Sequence, residues 1–273
     1  MKKTIFLSLL GFSALFLFSC RENPGSKLLS LSYADTYYLS SDTSRGAFRI
    51  SIQMELPAGH TENDSLIRSS LVSLIFGENY LQLSNDSLLP AYAADMRQEY
   101  RLNNEPLLQE SKDEDLLYPF NNEHTIEGFS LLNDQNIFSY GLDRYAFMGG
   151  AYGLEIRSYY NFDLKAKHLI TEADLFTQDY QSELTALLRT KINEDNKAMF
   201  SEKELKELDY WEDSIKPNGN FYISDEAITY VFNPYEIAPY YMGHTEVVLP
   251  FSRLATLLKT DSPIAYLIEK SQN

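Results

Sequence analysis

The chain has 273 residues, of which 44% are hydrophobic and 14% aromatic, and a formal net charge of −16 at pH 7. It is long and apolar enough to bury a real core in one large domain or two modest ones, which excludes an unfolded acidic chain. The acidic surface excludes nucleic acid as a partner: it repels phosphates, whereas it speeds encounter with basic proteins and aids solubility.

Residues 1–19 read as a secretory signal peptide, with Lys2 and Lys3 ahead of an apolar run over residues 5–18 that is too short for a comfortable membrane span. Ser19 then precedes Cys20, as at a lipoprotein signal peptidase site, although Phe18 is bulkier than usual there. Cys20 is the only cysteine, so it has no disulfide to make, and acylation accounts for it; the alternative is cleavage without lipidation. A lipidated Cys20 would hold the protein on a bacterial envelope membrane, at its outer-membrane, periplasmic or surface face. Residues 20–30, with Pro24 and Gly25, would be the tether.

The first folded element is a β-hairpin from residues 36–39 and 48–56, with Phe48, Ile50, Ile52 and Met54 facing the core. A helix opens at Asp64, places Ile67, Leu71, Leu74 and Ile75 on one face, and stops at Gly77. A second covers residues 90–102, with Pro90 in its first turn, Ala93, Met96 and Tyr100 inward, and Asp95, Arg97, Gln98 and Arg101 in water. Residues 103–122, which include ESKDED, are the most polar stretch and mark a subdomain boundary; as a calcium loop they lack the turn glycine.

Three β runs follow, over residues 124–132, 136–146 and 154–164, most simply as a meander. Between the last two, Gly149, Gly150 and Gly153 permit positive φ or close backbone approach, as a ligand-facing corner or as a simple bulge. Thr171 and Asp174 are spaced as an N-cap and its partner. A longer helix over residues 180–200 carries Leu184, Leu187, Leu188, Ile192 and Met199 along one stripe. SEKELKEL, residues 201–208, reads as an exposed charged helix, and Trp211 beyond it as a stacking or interface residue or as a core plug. Strands over residues 221–223, 227–232 and 246–249 and a helix over residues 252–258 close the chain.

The segment NPYEIAPYYMG, residues 233–243, sets its backbone with Pro234 and Pro239 and carries Tyr235, Glu236, Tyr240 and Tyr241. Asn233, Pro234 and Pro239 form its structural frame. Its tyrosines offer large contact area at low entropic cost, or else merely close the core.

GGAYG at residues 149–153, SYYNFDL at 158–164, ITEADLF at 170–176 and residues 221–243 resemble the ectodomain of RsiV-type anti-sigma factors. The same domain occurs as the non-catalytic N-terminal region of PdaC-type peptidoglycan deacetylases. The first half, with AYAADMRQEY at residues 91–100, resembles more loosely the domain that precedes it. The resemblance implies a PdaC-like subdomain over residues 31–116 and an RsiV-like one over residues 117–262. It also implies lysozyme binding, as in some members. That family's glycine corner often has His where this chain has Tyr152, so no imidazole role carries over.

The expected fold class is therefore α+β in two small subdomains, an N-terminal hairpin-plus-helices unit and a C-terminal antiparallel sheet with packed helices. His60, His124, His168 and His244 are too far apart in sequence for ligand spacing, and no GxSxG, HExxH or phosphate loop is present. No metal, cofactor or catalytic residue is implied. The expected function is an envelope-anchored, non-catalytic binding or sensing module, with Tyr152, Tyr235, Glu236, Tyr240 and Tyr241 as binding residues. Its expected partners are the membrane through the anchor and a basic protein such as lysozyme or a cell-wall glycan. The alternatives are a peptidoglycan- or polysaccharide-processing enzyme and a structural envelope protein.

Overall fold

The computed structural model describes residues 25–44, 46–59, 61–110, 120–200 and 205–271. The signal segment, Cys20, His60 and the acidic run at residues 111–115 lie outside the described residues, as does the side chain of Met199.

The chain opens with β1 (Leu28–Tyr38) and β2 (Ala47–Pro57), antiparallel from Leu28↔Pro57 to Tyr38↔Ala47. β1 begins eight residues before the expected strand. Its outward residues Ser30, Ser32, Ala34 and Thr36 lack the aromatic and branched signature of a strand, because they lie on a solvent-facing edge. β2 behaves as expected, with Phe48, Ile50, Ile52 and Met54 buried.

Thr61, not Asp64, is the N-cap of α1 (Glu62–Ile75): the Asp64 amide donates to Thr61 Oγ1 and the Thr61 amide to Asp64 Oδ2, each at 3.0 Å. Ile67, Leu71, Val72 and Ile75 are buried. The stripe leans toward Val72, which leaves Leu74 exposed on its rim. α2 (Asn85–Glu110) starts a turn earlier than Pro90 suggests, because burial of Leu88 and Leu89 holds the extra turn. Pro90, sixth in the helix, has no N–H to give the Asp86 carbonyl, a single lost rung of the ladder.

β3 (Asn122–Asn133) then pairs parallel to β2, from Phe48↔Asn122 to Met54↔Gly128. A parallel neighbour needs a crossover, and α1 and α2 provide it while covering one face of the sheet. β4 (Ile137–Met148), β5 (Leu154–Asp163) and β6 (His168–Leu169) continue antiparallel, giving the order β1-β2-β3-β4-β5-β6. The meander of β3 to β5 is as expected. Segments 31–116 and 117–262 thus contribute strands to one sheet, and residues 103–110 of the expected boundary continue α2 past its expected end at residue 102, while residues 111–119 lie outside the described residues. A polar surface connection and a domain linker have the same composition, so sequence alone does not separate them.

The second half adds α3 (Glu172–Leu175), capped by Thr171 and Asp174 as expected, and α4 (Gln181–Phe200). A three-stranded antiparallel sheet follows, β7 (Phe221–Ile223), β8 (Ala227–Phe232) and β9 (Thr245–Pro250). Leu184, Leu188 and Ile192 of α4 are buried against this sheet's core together with Tyr230, Val247 and Leu249. Residues 205–208 form a 3₁₀ turn that buries Leu205, because leucines three apart point the same way. α5 (Phe251–Leu254) is shorter than the expected closing helix, and α6 (Ala265–Ser271), which packs Leu267 into the core, was not foreseen.

Side-chain amides join the second sheet to β5. Buried Asn161 on β5 donates Nδ2–H to the Phe221 carbonyl at 2.7 Å, and its Oδ1 accepts from the Ile223 amide at 3.0 Å and from Ser139 Oγ at 2.6 Å. Asn220 accepts from the Tyr159 amide at 3.1 Å and donates to the carbonyls of Arg157 and Val231, both at 3.0 Å. Asn233 accepts from the Arg157 amide at 2.7 Å and donates to the Arg157 carbonyl at 3.1 Å. This junction positions the loops that follow β4 and β8.

Candidate functional site

The loop between β4 and β5 holds the glycine corner. Gly149 sits at φ +76°, a conformation that L side chains rarely adopt. Gly153 is needed for another reason: a Cβ there would lie 2.3 Å from the Tyr145 ring. Gly150 meets neither requirement, having no positive φ and no crowded Cβ position. Tyr152, at the apex, is 77% exposed.

The loop after β8 begins at Asn233, whose carbonyl accepts the Glu236 amide at 3.0 Å, closing a turn over Pro234 and Tyr235. Tyr235 has φ +69°. A left-handed bulky residue costs about 1–2 kcal/mol, and here the strain holds a ring 62% exposed in solvent. The Asn233 amide also donates to Glu236 Oε1 at 3.2 Å, with Glu236 exposed. Ile237 and Ala238 turn into the core, and Pro239 leads into the 3₁₀ turn Tyr240–Met242.

The two loops meet through Tyr240, whose hydroxyl donates to the Gly153 carbonyl at 2.7 Å. Its ring centroid lies 5.6 Å from Tyr152 on one side and 5.6 Å from Tyr235 on the other. Three of the five expected binding residues, Tyr152, Tyr235 and Tyr240, thus form one platform across loops some eighty residues apart, while Glu236, next to Tyr235 in the chain, is held by the side-chain amides of Asn233 and Asn218. Tyr241 is 69% exposed and turns toward the Asp209 carboxylate, which its hydroxyl engages; that hydrogen bond raises its pKa. Trp211 is 43% exposed, so it is no core plug, and its amide donates to the Ile237 carbonyl at 2.8 Å.

Beside the platform lies a charged cluster that pattern reading did not single out. The Arg157 guanidinium is 2.9 Å from Glu246, 3.2 Å from Glu155 and 3.7 Å from Asp143. His244 Nδ1 approaches Glu155 at 4.0 Å. Burial pushes the Asp143 carboxyl up against the opposing pull of Arg157, and its Oδ1 has no hydrogen-bond partner among the described residues. Arg157 resists deprotonation because the surrounding carboxylates outweigh its own desolvation. Only the alternation of β5 hinted at this cluster, since its members come from β4, β5, β9 and the residue before β9. The surface beside the tyrosines is therefore acidic, with aromatic faces at its centre.

Among the described residues, no group of three or more His, Cys, Asp or Glu could hold a metal ion, and no helix is long and apolar enough to cross a membrane.

Residues 173–252, from α3 through the tyrosine loop to α5, match the model of the family described as "Protein of unknown function (DUF3298)". The fold matches that of a solved DUF3298 family member from Bacteroides fragilis NCTC 9343, with a TM-score of 0.83 and 26% identity over 91% of this chain and 100% of that one. A DUF3298 family structure from Pseudomonas aeruginosa PAO1 shares the fold at a TM-score of 0.57 and 16% identity, covering 86% of this chain and 96% of that one. In sequence, the chain is 24% identical over 161 residues to peptidoglycan-N-acetylmuramic acid deacetylase PdaC of Bacillus subtilis strain 168. That match covers 55% of this chain and 33% of the relative, so the chain spans about a third of the relative's length. The PdaC resemblance read from the sequence is thus borne out as a distant likeness.

Proposed function

We propose that this protein is a non-catalytic binding and sensing module of the bacterial envelope, anchored through Cys20, whose tyrosine platform engages a basic, lysozyme-like protein. The observation that carries this reading is the run of tilted ring contacts Tyr152–Tyr240–Tyr235, pinned by the Tyr240–Gly153 hydrogen bond, with Glu155 and Glu246 gathered at Arg157 and Glu236 next to Tyr235 in the chain. Rigid tyrosines give contact area at low entropic cost, and surrounding carboxylates steer a cationic partner. The likeness to a peptidoglycan deacetylase supports a setting at the cell wall, and the resemblance of the same motifs to RsiV-type ectodomains supports sensing there.

A cell-wall glycan is the second ligand class, favoured by the exposed Tyr152 ring, since sugars stack on such faces. Calorimetry of the full chain against lysozyme, at low and high salt, separates the two. The protein reading expects heat that weakens with salt and is lost in Tyr152→Ala and Tyr240→Ala. Absence of heat at both salt levels, together with binding of soluble peptidoglycan fragments, moves the assignment to glycan.

A further inference from the structure

β1 is the edge of the six-stranded sheet, and among the described residues it pairs only with β2. The Ala58 amide donates to the Lys27 carbonyl and the Leu39 amide to the Gly46 carbonyl, which fixes the phase of the ladder. Odd-numbered residues of β1 bond to β2. The backbone groups of Leu28, Ser30, Ser32, Ala34, Thr36 and Tyr38 therefore point away from the sheet.

Sheet edges are normally blunted by lysine, proline, a bulge or a covering element. β1 contains no lysine and no proline, and its register with β2 is unbroken. Among the described residues it has one guard: Asp35 Oδ1 accepts the Thr36 amide at 2.8 Å, while Arg97 of α2 holds the same carboxylate at 3.7 Å. That guard blocks only the second half. The first half is uncharged over residues 28–34, and it is held straight at its start by the reciprocal bonds of Ser26 with Asn133, both at 2.8 Å.

The sheet face beside this half specifies the occupant. Ser30, Ser32 and Ala34 are small, so a side chain on an added strand can pass over them to β2, where Glu55 stands opposite Ser30 with one carboxylate oxygen already accepting the Ser130 amide at 2.9 Å. A recess of about 300 Å³ opens there, and its charged lining residues are Glu55 and Glu127, with no cation among them. Strands lie about 4.8 Å apart, a spacing that the stem of lysine or arginine largely bridges across one intervening strand.

We propose that the free edge of β1 over residues 28–34 is a strand-addition site for an extended basic segment of a partner protein. Backbone bonds supply affinity, and alternate lysine or arginine side chains reach across Ser30 and Ser32 toward Glu55. A second copy of this chain fits less well, since it brings its own net charge of −16 to the same acidic face.

The test uses the full chain and a fluorescent octapeptide of alternating lysine and valine. A second probe has the same sequence with every other amide N-methylated, which keeps the charge and removes the strand donors. The proposal expects the first probe to bind and the methylated one to bind at least about tenfold more weakly, as the loss of several hydrogen bonds requires. Glu55→Gln weakens the first probe, and so does Ser32→Pro, which removes an outward donor without costing a β1–β2 bond. Equal binding of both probes, or none, overturns the proposal. So does concentration-dependent dimerisation abolished by Ser32→Pro, which would assign the edge to a second copy.

Discussion

Where the six-stranded sheet takes in its third strand, it uses a backbone ladder running from Phe48↔Asn122 to Met54↔Gly128. The three-stranded sheet joins β5 differently, through the side chains of Asn161, Asn220 and Asn233. A backbone ladder is nearly indifferent to which residues carry it, so the first joint tolerates substitution. The second concentrates its geometry in three amides. Because the β4–β5 loop and the loop after β8 stand on either side of those amides, the tyrosine platform is only as well placed as that joint.

Asn161→Ala is the most direct way to break this contrast. It strands the Ile223 amide and the Phe221 carbonyl in a buried site, and we expect a loss of about 3 kcal/mol or more, read as a lowered urea midpoint. Thr125→Ala, on the ladder side of β3, should stay within about 0.5 kcal/mol. Comparable losses at the two sites would refute the distinction.

Asn233→Ala sharpens the comparison at lower cost, about 1–2 kcal/mol, because its bonds to Arg157 are part-buried. It should also weaken lysozyme binding more than it weakens the fold, since Asn233 frames the Tyr235 turn. Tyr240→Phe removes one hydrogen bond to Gly153, worth about 1 kcal/mol, and should loosen the platform while leaving the urea midpoint of the six-stranded unit nearly unchanged.

The smallest expected effect is a pH dependence confined to the six-stranded side. Burial holds the His124 imidazole below its ordinary value of 6.5, beside Phe48 at 5.5 Å and with Glu99 pulling the other way. A lowered folded value means that stability is full above the unfolded value and is lost as pH falls through the folded one. The urea midpoint should therefore drop between about pH 7 and 5, and His124→Gln should flatten that slope.

The ladder side was largely legible in the sequence. Alternation at Phe48, Ile50, Ile52 and Met54, most of the helical stripe residues, and the Thr171–Asp174 cap appeared where the pattern placed them, whereas Leu74 did not. β1 was legible only in part, because an edge strand of serine, alanine and threonine has little to bury. The parallel pairing of β2 with β3 was not legible, since a polar crossover looks like a linker. The amide joint was hidden for another reason: three asparagines scattered over some seventy residues have no spacing to betray that they face one boundary. At the platform, the tyrosines were picked out by composition and by the prolines and glycines around them. The Arg157 cluster escaped, because charged residues on three strands converge only once the sheets are formed.

The chain's single tryptophan gives the platform a built-in optical reporter. Trp211 is tied by its backbone to Ile237 in the middle of the tyrosine loop, two residues from the Asp209 that holds Tyr241, and its indole is partly open to water. Emission from this one fluorophore therefore originates beside the tyrosine cluster, which also donates excitation to it. A ligand on those rings is therefore expected to change the emission of an unlabelled, unmodified molecule.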